Sequence, residues 1–176
     1  MTFSTNSPQD DSLPSQPRAP RTGIVFSIPW AAGFADGEAC LHVAKQTYRT
    51  NRKPSHRLRV CITQNDGGVL EHFRNGMGIP ACLTAVKPQA WHSQPVFTLN
   101  YDGANALTLI AALFPHLVRK RAEAQVAFEF WSEGGIGQFP GKGGVPPEVM
   151  ATRERLYLKL QTMKRDGSGN TEAPKH

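Results

Sequence analysis

The spacing of apolar residues changes several times between residues 24 and 165, and each change marks an element. The segment "HRLRVCITQND" alternates: Leu58, Val60 and Ile62 share one face, and Arg57, Arg59, Cys61 and Thr63 share the other. That pattern predicts a strand that covers a core on one side and presents arginines on the other. The shorter "CLHVA" alternates the same way, with Leu41 and Val43 set against Cys40, His42 and Ala44. Between them "TYRTNRKPSH", polar and carrying Pro54, reads as a hairpin loop. The two strands then make a basic ribbon, a shape that the major groove of DNA admits. Upstream, "FSIPWAAGFADGE" predicts a helix with Pro29 near its first position. Two features of that helix are odd. Ala31, Ala32 and Gly33 stand where a core helix normally carries Leu or Ile, and Asp36 and Glu38 fall at the C-terminal end, where the macrodipole disfavours negative charge.

After the ribbon, Asp66 is placed to cap a helix over "GGVLEHFRNGMG", whose Val69, Leu70, Phe73 and Met77 share one face. "ACLTAV" and "PVFTLNY" read as a second strand pair, and Asp102 as the cap of a helix over "GANALTLIAALF". Pro115 is expected to end that helix and to begin another, "PHLVRKRAEAQVAFEFW". The order is helix, two strands, helix, two strands, helices. It predicts an α+β fold with an antiparallel β-sheet, helices packed on one face and the other face left open. "SEGGIGQFPGKGGVPP" is a Gly/Pro-rich linker, in which "GKGG" lacks the spacing of a phosphate loop. From Pro147 a last helix is expected, with Val149, Leu156, Leu160 and Met163 on one stripe packing back on the domain. The organisation expected is a disordered tail over 1–23, a domain over 24–131, a linker and C-terminal helix over 132–165, and a second disordered tail over 166–176.

Charge sharpens this picture. The chain has 176 residues and a net charge of +6. Between Glu38 and Asp66 lie Lys45, Arg49, Arg52, Lys53, Arg57 and Arg59 with no acid, so the ribbon carries the whole excess. A basic surface on strands suits a polyanion. No apolar run approaches the roughly 20 residues of a membrane span, so no membrane partner is expected. Nor does the N-terminus show a signal peptide's basic start and apolar stretch. Cys40, Cys61 and Cys82 lack metal-ligand spacing and read as free thiols of a reducing compartment.

Trp30 to Ala39, "WAAGFADGEA", resembles the motif Trp-Leu-Ala-Gly-Phe-hydrophobic-Asp-Gly-Glu-Gly found in many LAGLIDADG homing endonucleases. "ITQND" at the end of the second strand and "FPHLVRK" are similar to further segments of that family. Ala31 stands in place of the usual Leu and Ala39 in place of the final Gly, where it is expected to strain the backbone. The resemblance implies a saddle-shaped sheet in the order αββαββα. It also implies a divalent-metal DNA endonuclease, with double-stranded DNA as partner and no small-molecule substrate. A single motif per chain implies a homodimer and a pseudo-palindromic target. It explains the thinned helix as a dimer interface of Ala31, Ala32, Gly33, Ala35 and Asp36.

The resemblance assigns further roles. Glu38 and the Gly37 carbonyl would hold Mg²⁺ or Mn²⁺. Gln64 would hold water and Lys120 would offset phosphate charge, so that Glu38, Gln64 and Lys120 form the catalytic set. On the ribbon, His42, Gln46, Tyr48, Arg57 and Arg59 are the candidates for base contacts. Lys45, Arg49, Arg52 and Lys53 are the candidates for phosphate contacts. The second reading of the same fold is a cleavage-inactive DNA-binding regulator or an intron RNA maturase. The expected setting is cytoplasmic, in a phage, bacterium or organelle.

Overall fold

A computed structural model describes residues 25–47, 54–86, 95–138 and 144–166. The chain opens with α1 (Ile28–Glu38), then β1 (Ala39–Gln46), β2 (Ser55–Gln64) and α2 (Gly67–Met77). It continues with β3 (Cys82–Val86), β4 (Val96–Asp102), α3 (Ala104–Leu113), a 3₁₀ turn (Phe114–His116), α4 (Arg121–Ser132) and α5 (Pro147–Arg165). The strands form one antiparallel sheet in the order β1-β2-β4-β3.

Local chemistry accounts for most boundaries. Ser27 accepts the Trp30 amide at 3.2 Å and starts α1. Asp66 accepts the Gly68 amide at 2.9 Å and starts α2, and Gly78, in the left-handed region at φ 64°, ends it. Asp102 does not cap α3 as expected. The cap position is Gly103, at φ 57°, and the Asp102 carboxylate turns sideways to Arg59.

Strand alternation then divides the sheet into two faces. Leu41, Val43, Leu58, Val60, Ile62, Leu99 and Tyr101 are buried on the inner face. Against them pack Ala31, Ala32 and Ala35 of α1, Leu70 and Phe73 of α2, Leu109 and Ile110 of α3, and Ala127 and Phe130 of α4. Leu156 and Leu160 of α5 join the same core, so the last helix does fold back on the domain. At about 25 cal/mol per Å² of apolar surface, this shared layer is the main force holding the helices to one side. No helix among the described residues covers the outer face. Cys40, His42, Ala44, Arg57, Arg59, Cys61, Thr63, Thr84, Thr98, Asn100 and Asp102 stand on it, and none of them is buried.

The segment after α3 departs from expectation. A continuous helix from Pro115 does not form. The 3₁₀ turn ends at His116, Leu117 is extended at φ −72° and ψ 138°, and α4 begins only at Arg121. No helix among the described residues is long and apolar enough to cross a membrane.

Candidate nucleic-acid interface and metal-binding end

The break before α4 is explained by Asp36. Its carboxylate accepts three consecutive amides, from Val118 at 2.7 Å, Arg119 at 3.2 Å and Lys120 at 3.0 Å. A helix leaves its first amides without partners. Here an acid from another helix satisfies three amides at the entry to α4. Asp36 is buried by this arrangement, and its carboxylate is engaged within the chain.

Two residues on, Glu38 is exposed at the end of α1 and makes no hydrogen bond or ion pair among the described residues. Ala39 opposes Ile62 in the register, so the end of β2 that carries Gln64 lies at the same end of the sheet. Lys120 is brought there by its backbone N–H, which donates a hydrogen bond to the Asp36 carboxylate. Its neighbours are already engaged. Arg119 donates to the Asp36 carbonyl at 3.3 Å, and Arg121 donates to the Phe114 carbonyl and lies over the Phe114 ring. The side chain of Lys120 has no such partner among the described residues, although the residue is only 9% exposed. The three catalytic candidates thus gather at one end of the molecule.

Ala39 is not strained. Its φ of −77° and ψ of 146° are extended backbone that any residue adopts. Among the described residues, no three His, Cys, Asp or Glu side chains gather as a metal site. One chain therefore offers Glu38 and the exposed backbone at Gly37. That hard oxygen donor set fits Mg²⁺, which is commonly held by one or two carboxylates with phosphate oxygens and water.

The five interface candidates separate. Ala31, Ala32, Ala35 and Asp36 are covered by this chain itself, so packing within the chain already accounts for their small size. Gly33 alone of the five is exposed. It lies with Pro29 and Gly37 on the opposite side of α1, and a Cβ at either glycine would meet no heavy atom within 4 Å.

On the outer face His42 opposes Arg59, and Ala44 opposes Arg57. Arg57 is exposed and unpaired among the described residues. Arg59 is clasped by Asp102, with Nε donating to Oδ1 at 2.6 Å and Nη2 to Oδ2 at 3.2 Å. The clasp raises the Arg59 pKa further. Gln46 lies at the far end of β1, opposite Ser55. Lys45 belongs to the other side of the strand. It donates to Glu154 of α5 at 2.6 Å and sits over the Tyr157 ring, which corrects its expected place among the phosphate contacts. Tyr48, Arg49, Arg52 and Lys53 lie outside the described residues.

Solved structures share this architecture. The homing endonuclease I-CvuI, in complex with the I-CreI target, aligns with a TM-score of 0.60 and 19% identity over 85% of both chains. The archaeal intron-encoded I-Vdi141I, complexed with DNA, aligns with a TM-score of 0.62 and 15% identity, over 84% of this chain and 86% of its own. The chain has the LAGLIDADG homing endonuclease fold. Longer LAGLIDADG proteins match in part: I-CpaMI, bound to uncleaved DNA, gives a TM-score of 0.58 at 12% identity, over 86% of this chain and 52% of its own. No family model and no curated protein matches the sequence.

Sequence reasoning missed several residues of this LAGLIDADG-fold chain. Lys164 of α5 reaches around the sheet edge and donates to Cys40 Sγ at 3.0 Å, adding a cation beside the outer face. The His42 ring, and after it Lys164, pull the Cys40 thiol down to about 7 against the opposing effect of burial. Arg153, buried on α5, donates to the Gly134 and Gly135 carbonyls and ties α5 to the end of α4. Neither link has a local signal, because each joins positions distant in sequence.

Proposed function

We propose that this chain is a site-specific DNA endonuclease that works as a twofold pair on a pseudo-palindromic duplex. One observation carries the reading: Glu38, a carboxylate with no partner among the described residues, stands exposed at the end of a sheet face that bears arginines and that no described helix covers. The solved neighbours I-CvuI and I-Vdi141I are DNA complexes, and I-CvuI was solved with magnesium, its DNA not cleaved, and with calcium. The exposed stripe of Pro29, Gly33 and Gly37 offers a close approach to a second copy, which would place two Glu38 carboxylates at the centre.

In this mechanism the outer face binds and orients the duplex. Glu38 and the Gly37 carbonyl would hold the cation there. A divalent metal bound there supplies a water activated for attack and neutralises charge on the phosphodiester. The Gln64 side chain would accept or donate a hydrogen bond to hold a water at this end. Lys120, whose side chain has no partner among the described residues, would offset the charge that builds on the phosphate. Asp36 acts on none of these atoms directly; it keeps the start of α4 against the end of α1.

The test compares the parent and Glu38→Gln on a plasmid library of randomised duplex inserts with Mg²⁺. The parent should cut a subset of sequences, and the variant should bind the same subset without cutting. Equal binding by both with no cut product would instead favour the cleavage-inactive reading.

A further inference from the structure

We infer that Asp102 is a positioning residue for Arg59, and that the pair is a guanine-reading unit on the outer face of the sheet. The inference rests on the DNA-binding reading and deepens it.

The register places Arg59 of β2 opposite Asp102 of β4. The clasp is side-on: Nε and Nη2 of the guanidinium meet the two carboxylate oxygens at 2.6 and 3.2 Å. A guanidinium carries five N–H groups in one plane. This clasp uses one on Nε and one on Nη2. Three remain, and two of them, one each on Nη1 and Nη2, point end-on in parallel away from the carboxylate. They find no acceptor among the described residues. Such a fork fits two adjacent acceptors. In the major groove guanine presents O6 beside N7, whereas adenine pairs its N7 with a donor, thymine has one acceptor and cytosine presents a donor.

Two further observations favour base reading over other roles. Both side chains are 36% exposed, and an ion pair so exposed adds little to folding stability. The pair is also electrically neutral, so it draws phosphate less than Arg57 does, on the same face and with no carboxylate partner among the described residues. A carboxylate on a surface that meets a polyanion is otherwise a liability. Holding Arg59 in one rotamer before the duplex arrives gives it a use.

The experiment selects duplexes from a randomised pool with the full chain. Binding is then measured on the selected duplex and on its three single-base-pair variants at each position. The expected result is a guanine position whose discrimination, about 10- to 100-fold, collapses in Arg59→Lys. That variant keeps the charge but not the fork, so its salt dependence should match the parent's. Asp102→Asn should lose the same discrimination while binding non-specific duplex more tightly, because a negative charge leaves the face. A merely structural role would weaken both together. Guanine preference unchanged in Arg59→Lys, or in Asp102→Asn, overturns the inference and leaves DNA binding standing. A parent chain that binds no duplex at all overturns the DNA-binding reading, and the inference with it.

Discussion

The carboxylate of Asp36 accepts the backbone amide of Lys120 at 3.0 Å, across a sequence separation of 84. Through this bond and its two neighbours, the helix that ends in Glu38 is tied to the helix that begins after Lys120. Placement of the acid and of the lysine is therefore one structural event.

Asp36→Ala removes the acceptor for three amides, two part-buried and that of Lys120 buried. Loss of a charge-assisted cap and exposure of unsatisfied donors should cost about 2–4 kcal/mol. Asp36→Asn, which keeps one oxygen, should cost less. Chemical denaturation measures both. An Asp36→Ala chain as stable as the parent would show that water replaces the carboxylate without penalty.

Gly33→Leu separates folding from association. Nothing lies within 4 Å of where the new Cβ would stand, so the fold of one chain should be unharmed. Replacing a glycine inside a helix should even raise stability by about 0.5–1 kcal/mol. If this stripe seats a second copy, the leucine blocks the approach. Light scattering should then show a dimeric parent and a monomeric variant that melts no lower per chain. A variant as dimeric as its parent would move the interface elsewhere.

Glu154 predicts a pH dependence. Its hydrogen bond from Lys45, and after it that from His56, hold the carboxyl below its ordinary value near 4.5. A folded value below the unfolded one means stability that is fully present above about pH 4.5 and lost as the pH falls through the folded value. Denaturation curves of the parent should weaken across that acid window, and Glu154→Gln should flatten this part of the profile. The effect should stay below about 1 kcal/mol, because the carboxyl is 36% exposed and screened by water. Parallel profiles for parent and variant would remove Glu154 as the cause.

Much of the fold was legible because its signals are local. The alternation of β2 appears in the burial of Leu58, Val60 and Ile62, and Asp66 and Gly78 bound α2 by short-range chemistry. What was illegible depends on partners distant in sequence. Nothing near Pro115 announces that an acid in α1 will take the amides of Val118 to Lys120, so the helix was expected too early. Lys45 belongs to a basic run, but strand alternation turns it towards Glu154 on a helix more than a hundred positions away. The alanines of α1 are small whether they face a partner or their own core, and only the buried surface distinguishes the two. The gathering of Glu38, Gln64 and Lys120 at one end follows from the motif and from the register of β1 on β2. The Arg59–Asp102 clasp needed the pairing of β2 with β4 as well.

Strand β2 keeps its anchoring residues and its outward ones at alternate positions. Leu58, Val60 and Ile62 fasten it to the helices, while Arg57, Arg59 and Thr63 hold nothing down beneath it. Each outward position is thus able to change its chemistry without loosening the scaffold. If the proposed DNA-binding function holds, such a molecule would move from one target to another by single replacements and leave the end that carries Glu38 undisturbed.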